Sequence, residues 1–143
     1  MPSKETILVV DDEFGPRESL RIVLKSQYQI HTAASINEAL RFIRENHVDL
    51  VLLDLNMPGG SGFDVLKAIR DSGLDIQVIV ITGYGSLGNA KEAICLGAED
   101  FIQKPYDVAA VLLIVRRVLE KRRKKLEIET SAEQMKTLRS PAS

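Results

Sequence analysis

Ile7-Leu-Val-Val-Asp-Asp-Glu13 decides the fold. Four aliphatic residues fill a strand-length run and three carboxylates stop it. A run of this kind, with no polar residue inside it, suits a strand buried on both faces of a helix-covered parallel sheet. The same grammar returns downstream. Leu50–Leu53 is aliphatic and ends in Asp54, and Val78–Ile81 ends in Thr82-Gly83. A shorter run, Phe101-Ile102, is ended by Lys104-Pro105.

Between these runs the spacing turns helical. Leu20, Val23 and Leu24 recur at helical intervals within 16–26. Ser35 precedes Glu38 by three, the pattern of a capping box, and Ala39, Leu40, Phe42 and Ile43 follow it. After the turn cluster Pro58-Gly59-Gly60-Ser61-Gly62, the residues Phe63, Leu66 and Ile69 mark a third helix that should stop near Gly73. Residues 86–96 read as a weak helix with Gly97 as its C′ residue. A last helix begins near Tyr106 and runs past residue 120. Tyr28, Ile30 and Thr32 alternate with Gln29, His31 and Ala33, as in a half-exposed edge strand. Five βα units predict an α/β fold, a parallel sheet with helices on both faces. The outer strands are more polar than the inner ones. That suits the doubly wound order 2-1-3-4-5, a flavodoxin-like three-layer arrangement with a long last helix, which binds ligands at the C-terminal strand edge.

At 143 residues the chain is long enough for one domain with a full core. Twenty-seven per cent charged residues without a low-complexity tract argue for an ordered chain. One Cys excludes a disulfide framework and any multi-Cys metal site. Cys95 itself reads as a small core residue near the end of the fourth helix. His31 and His47 read as surface or edge residues, without ligand partners at metal spacing. No apolar run approaches the ~18–20 residues that cross a bilayer, and the first residues carry no signal-peptide pattern. A cytoplasmic location without membrane association is expected. The net charge of −1 averages two unlike parts. Residues 1–115 hold ten basic and sixteen acidic residues (−6); residues 116–143 hold nine and four (+5).

The residues that end the strands are the chemical ones. Asp11, Asp12, Asp54, Thr82 and Lys104 end strands that are neighbours in the expected order, so they converge on one edge of the sheet. Three carboxylates so placed repel one another unless a cation is present. A hard divalent cation such as Mg²⁺ relieves this and keeps coordination positions open for phosphate. Lys104 suits one oxygen of a phosphoryl group, and Thr82 offers one hydroxyl. A carboxylate nucleophile, a metal, a cation and a hydroxyl are enough for phosphoryl transfer, which needs little beyond positioning and charge neutralisation.

The sequence resembles the receiver domain of two-component response regulators. The matching residues are Asp11-Asp12, Asp54-Leu-Asn-Met57-Pro58 followed by Gly62, Thr82-Gly83 and Lys104-Pro105, in order and each after a strand. They belong to a body of residues 1–120. The resemblance implies that Asp54 is the phosphoacceptor, charged by a sensor histidine kinase or a phosphotransfer protein. It implies Mg²⁺ on Asp12, Asp54 and the main-chain carbonyl of Asn56, with Asp11 acting through a metal-bound water. Thr82 would turn inward onto the phosphoryl group and Lys104 would pair with it. Phe101, three residues before Lys104, takes the place of the aromatic switch and would change the face made by the fourth helix, fifth strand and fifth helix. Having no hydroxyl, Phe101 can report its position only through packing. Asn56 and Tyr84 border the phosphoryl group and would set its lifetime, Tyr84 by shielding it. Such a domain catalyses its own phosphorylation and dephosphorylation but acts chiefly as a signalling switch.

Other readings carry less. Asp11-Asp12-Glu13 alone would be a polar turn with a helix cap. Gly83-Tyr-Gly-Ser-Leu-Gly88 matches a dinucleotide fingerprint, but it lies in the fourth βα unit, and the next strand ends in Lys104-Pro105 instead of an acid. That counts against a nucleotide- or flavin-binding module. A receiver-like interaction module working without phosphorylation would not need the full set Asp11, Asp12, Asp54, Thr82 and Lys104.

Val108–Val115 is apolar throughout, so either both faces of the helix are buried or the outer face meets a partner. The expected partner is a second copy, through the fourth helix, fifth strand and fifth helix. Ile114 stands where the winged-helix subfamily carries an interfacial Arg, which suggests a more apolar contact. Arg116–Lys125 has seven basic residues in ten and reads as the solvated end of the last helix, favourable at its macrodipole. With no aromatic interleaving and no second helix, direct nucleic-acid binding is not expected. Residues 121–143 read as a basic helical extension or linker with no recognisable output domain.

Overall fold

The aliphatic runs become β1 (Thr6–Val10), β3 (Leu50–Asp54) and β4 (Gln77–Thr82), flanked by β2 (Gln29–Ala33) and β5 (Asp100–Gln103). The computed structural model describes residues 4–57, 61–83 and 87–139. All five strands pair in parallel in the order β2-β1-β3-β4-β5. The helices are α1 (Phe14–Leu24), α2 (Ile36–Glu45), α3 (Gly62–Ser72), α4 (Leu87–Cys95) and α5 (Val108–Arg139).

Every residue of β1 and β3 is buried, and their side chains alternate between two cores. Leu8, Val10, Val51, Leu53, Val78 and Val80 pack with Ala39 and Ile43 of α2, Val65, Leu66 and Ile69 of α3 and Ala93 of α4. Ile7, Val9, Leu50, Leu52, Ile79 and Ile81 face the other way, onto Leu20 and Leu24 of α1 and Val111, Val115 and Leu119 of α5. The central strands therefore have no room for polar side chains along their length. Their polar residues emerge at the strand ends, which fixes where chemistry can occur.

The helix ends follow their sequence signals. The Ser35 hydroxyl accepts the Glu38 amide (3.1 Å). Glu38 in turn accepts the Ala34 amide (2.9 Å), one residue before the cap. Gly73 ends α3 at φ 72°. Gly97 stands at φ 108°, where the amides of Gly97 and Ala98 reach back to Ile94 and Ala93 in a Schellman motif.

Three expectations change. Helix α1 starts at Phe14, before Pro16, because the third residue of a helix has no intrahelical acceptor for an amide and so tolerates proline. In β2, Thr32 is exposed and Ala33 buried, since each face of this edge strand is only partly covered. The half-buried His31 ring lies 4.8 Å from that of Phe42 on one of those faces. Cys95 is exposed and is not a core residue. Helix α4 turns a narrow stripe, Ala90 and Ala93, to the sheet, and two residues beyond Ala93 the helix faces outward.

Helix α5 is unbroken for 32 residues. Its apolar run is not buried all round: Val111 and Val115 face the core, while Ala109, Ala110 and Leu113 are exposed, Leu113 by 63%.

Candidate functional site

At the C-terminal edge of the sheet, carboxylate oxygens of Asp11, Asp12 and Asp54 all lie within 4.8 Å of one another. Asp11 follows β1 directly, and its amide still bonds to Ala33 of β2 (3.1 Å). Asp54 is the last residue of β3 and is 1% exposed. Registers bring their strands side by side, with Val10 opposite Leu53. Asp12 is exposed at the mouth of the site.

Each acid is held differently. One oxygen of Asp54 accepts the Asn56 amide (2.8 Å) and the other accepts Lys104 Nζ (2.8 Å). Asp11 Oδ1 accepts the Glu13 amide (2.9 Å), while Arg17 donates to the Asp11 main-chain oxygen (2.8 Å) and fixes the turn into α1. Among the described residues, Asp11 Oδ2 is buried without a hydrogen-bond partner. Burial pushes the Asp11 carboxyl above its ordinary value, and the charges of Asp54 and Asp12 add to this against the Glu13 amide and Lys104. Burial alone would lower Lys104. The hydrogen bond and charge of Asp54, with help from Asp11 and Glu13, hold its ammonium above the usual value instead. An unsatisfied buried oxygen beside two further carboxylates is a donor set short of a cation, and all-oxygen donors fit Mg²⁺.

Thr82 ends β4, buried at 1%, and its main-chain oxygen accepts the Lys104 amide (2.8 Å), so β5 delivers Lys104 beside it. Phe101 on β5 is half-buried against the α2–α3–α4 core and pairs in register with Val80. Tyr84 lies outside the described residues. Tyr106, half-buried two residues past Lys104, is a site residue that sequence reasoning misses. Burial raises its phenol, and the charges of Asp11 and Asp54 raise it further, which places it by the acidic site. Its one signal is its nearness along the chain to Lys104.

The opposite sheet edge holds a second polar cluster that the sequence conceals. Asp49, just before β3, accepts the Thr6 amide (2.8 Å), Arg122 Nη1 (2.6 Å) and a bond from His47 (2.9 Å). Arg122 also donates to the Asp75 carboxylate (3.2 Å) and main-chain oxygen (3.0 Å). Arg117 pairs with Asp100, and Arg123 with Glu5 (3.0 Å). Three of the seven cations in Arg116–Lys125 thus pair with acids of the body, and of these Arg122 is withdrawn from solvent while Arg117 and Arg123 stay exposed. No helix among the described residues is long and apolar enough to cross a membrane.

Comparisons with known proteins agree with this architecture. Residues 7–135 match the family described as the response regulator receiver domain. The chain is 38% identical over 116 residues to the sporulation initiation phosphotransferase F of Bacillus subtilis (strain 168), covering 80% of this chain and 94% of that protein. It is 36% identical over 129 residues to the regulatory protein AtoC of Escherichia coli (strain K12), covering 90% of this chain but 28% of the other. Among solved structures, a CheY-like receiver domain from Methanospirillum hungatei JF-1 superposes with a TM-score of 0.81 at 28% identity, over 86% of this chain and 99% of that one. With its strand order and its acids at the shared sheet edge, the chain belongs to the receiver domain family of two-component response regulators.

Proposed function

We propose that the chain is a phosphoacceptor switch in which Asp54 takes a phosphoryl group from a sensor histidine kinase or a phosphotransfer protein. The observation that carries this reading is the convergence of Asp11, Asp12 and Asp54 within 4.8 Å, with Lys104 bonded to Asp54 at 2.8 Å. An Asp54 carboxylate oxygen attacks the phosphorus of a phosphohistidine. The new P–O bond forms as the P–N bond breaks, and the electron pair leaves with the imidazole. Asn56 and Lys104 orient the carboxylate, and Lys104 passes its bond from Asp54 to a phosphoryl oxygen. Thr82 donates its hydroxyl to another. Mg²⁺ would be held by Asp12, Asp54 and the main-chain carbonyl of Asn56, with Asp11 reached through water, and would neutralise charge on the phosphoryl oxygens.

The reading extends to the output. Thr82 moving onto the phosphoryl group leaves space that Phe101 fills, and the α4–β5–α5 face changes shape. Exposed Leu113 and Ala110 on that face support a second copy as its partner. Residues 1–120 form the receiver body and 121–143 the extension that leads away from it. Asn56 and Tyr84 tune the lifetime of the phosphoryl group, and Tyr84→Ala should hasten its loss. Intact-protein mass spectrometry tests the core of the reading. Incubation with Mg²⁺ and a small phosphodonor should add one phosphoryl group. Chelation and Asp54→Asn should each abolish it, and an adduct that survives Asp54→Asn refutes the assignment.

A further inference from the structure

Beyond the body, α5 carries a self-complementary ridge of charge. Lys121, Lys125, Glu129 and Glu133 are spaced by four, so they line one ridge of the helix, ordered plus, plus, minus, minus. All four are exposed, and among the described residues none of them forms an ion pair within the chain. Their neighbours Arg122 and Arg123 are bound to the body. The ridge is therefore among the charges of α5 that the fold leaves unpaired.

An antisymmetric row of this kind selects its partner. A second identical helix laid parallel and in register would set like charge on like. Laid antiparallel about a two-fold axis near Glu127, it sets Lys121 against Glu133 of the second copy and Lys125 against Glu129, with the reverse pairs generated by symmetry. The four pairs span roughly 18 Å of helix. A groove of about 920 Å³ opens at the body end of the ridge, lined among others by Leu74, Lys121, Lys125, Leu126, Ile128 and Glu129. Leu74, Leu126 and Ile128 there are exposed by 52%, 40% and 69%. The antiparallel arrangement lays residues 125–133 of the second helix opposite the α5 wall of this groove, residues 121–129.

We propose that the α5 extensions of two copies pair antiparallel through this ridge and groove, forming a dimer at the sheet edge opposite Asp54. The contact needs no phosphoryl group and is centred near Glu127, beyond the apolar run Val108–Val115. Sedimentation equilibrium of the full unphosphorylated chain tests it. A dimer is expected at about 10–100 µM and low salt, weakened by high salt. Lys121→Glu with Lys125→Glu makes the ridge wholly acidic and should weaken dimerisation at least tenfold or so. Adding Glu129→Lys and Glu133→Lys inverts the ridge to minus, minus, plus, plus and should restore the dimer. Circular dichroism checks that each variant keeps its helix. A wild type that stays monomeric, a dimer indifferent to the double reversal, or a folded quadruple variant that fails to recover each overturns the proposal. Failure here leaves the Asp54 reading intact, because phosphoryl uptake is measured separately by mass.

Discussion

Asp54 owes its setting to a residue with no side chain. A Cβ on Gly62 would stand 2.9 Å from Leu55 Cδ2, 3.0 Å from Leu55 Cα and 3.1 Å from the Asp54 main-chain oxygen. The Leu55 side chain can yield, but the backbone that follows Asp54 cannot. Gly62→Ala is expected to cost about 1–3 kcal/mol in urea unfolding and to slow phosphoryl uptake by displacing Asp54. Equal stability and uptake would mean that α3 shifts freely. The acids were legible in the sequence because a carboxylate ending a fully aliphatic strand has no packing role to explain it. Gly62 was legible only as part of a turn; its close approach to Leu55 depends on how α3 docks. The unsatisfied oxygen of Asp11 was equally hidden, since residue type gives no burial.

The same limit governs the elements. Helix α5 reads in sequence as an apolar run followed by a basic one, and its continuity to Arg139 follows that pattern only in part. What the pattern cannot carry is that loops 47 and 73 residues away return Asp75 and Asp49 to Arg122. Burial pushes the Asp49 carboxyl up, but the Thr6 amide, Arg122 and His47 outweigh it and hold it below the usual range. A depressed folded value stabilises the protein above the unfolded carboxylate value of ~3.9, and that stability is lost as pH falls through the folded value. Arg122→Met, which leaves a buried carboxylate short of its cation, should cost about 3 kcal/mol at neutral pH. The gap to wild type should be constant down to about pH 5 and close below about pH 4. A gap independent of pH would assign the loss to packing. On the other face of α5, Leu113→Asp should leave monomer stability within about 0.5 kcal/mol, because the side chain is already exposed. It should abolish any dimer that forms only after phosphorylation, read on a sizing column.

For the whole molecule, the acidic body and basic tail separate into two sheet edges with opposite problems. At the Asp49 edge the acids find internal cations, as Arg122 spans two loops. At the Asp11 edge one lysine among the described residues faces three carboxylates, so the fold without an ion retains an electrostatic deficit. The raised carboxyl of Asp11 measures it: the ionised form costs stability, and that cost is present at pH values above its folded value. Asp11→Asn removes the charge, keeps Oδ1 for the Glu13 amide and turns an NH₂ toward Asp54 and Asp12. Without divalent ions at pH 7 this variant should therefore be more stable than wild type. Mg²⁺ should reverse the balance, since an ion that binds only the folded chain adds about 1.4 kcal/mol at ten times its dissociation constant. The Asp11→Asn variant should retain less of that gain, because the atom it turns toward the ion's water is an NH₂ in place of a charged oxygen. Urea unfolding of both proteins with and without Mg²⁺ decides the matter. If the substitution lowers stability in the absence of the ion, the acidic edge is satisfied on its own and the site has no need of a cation.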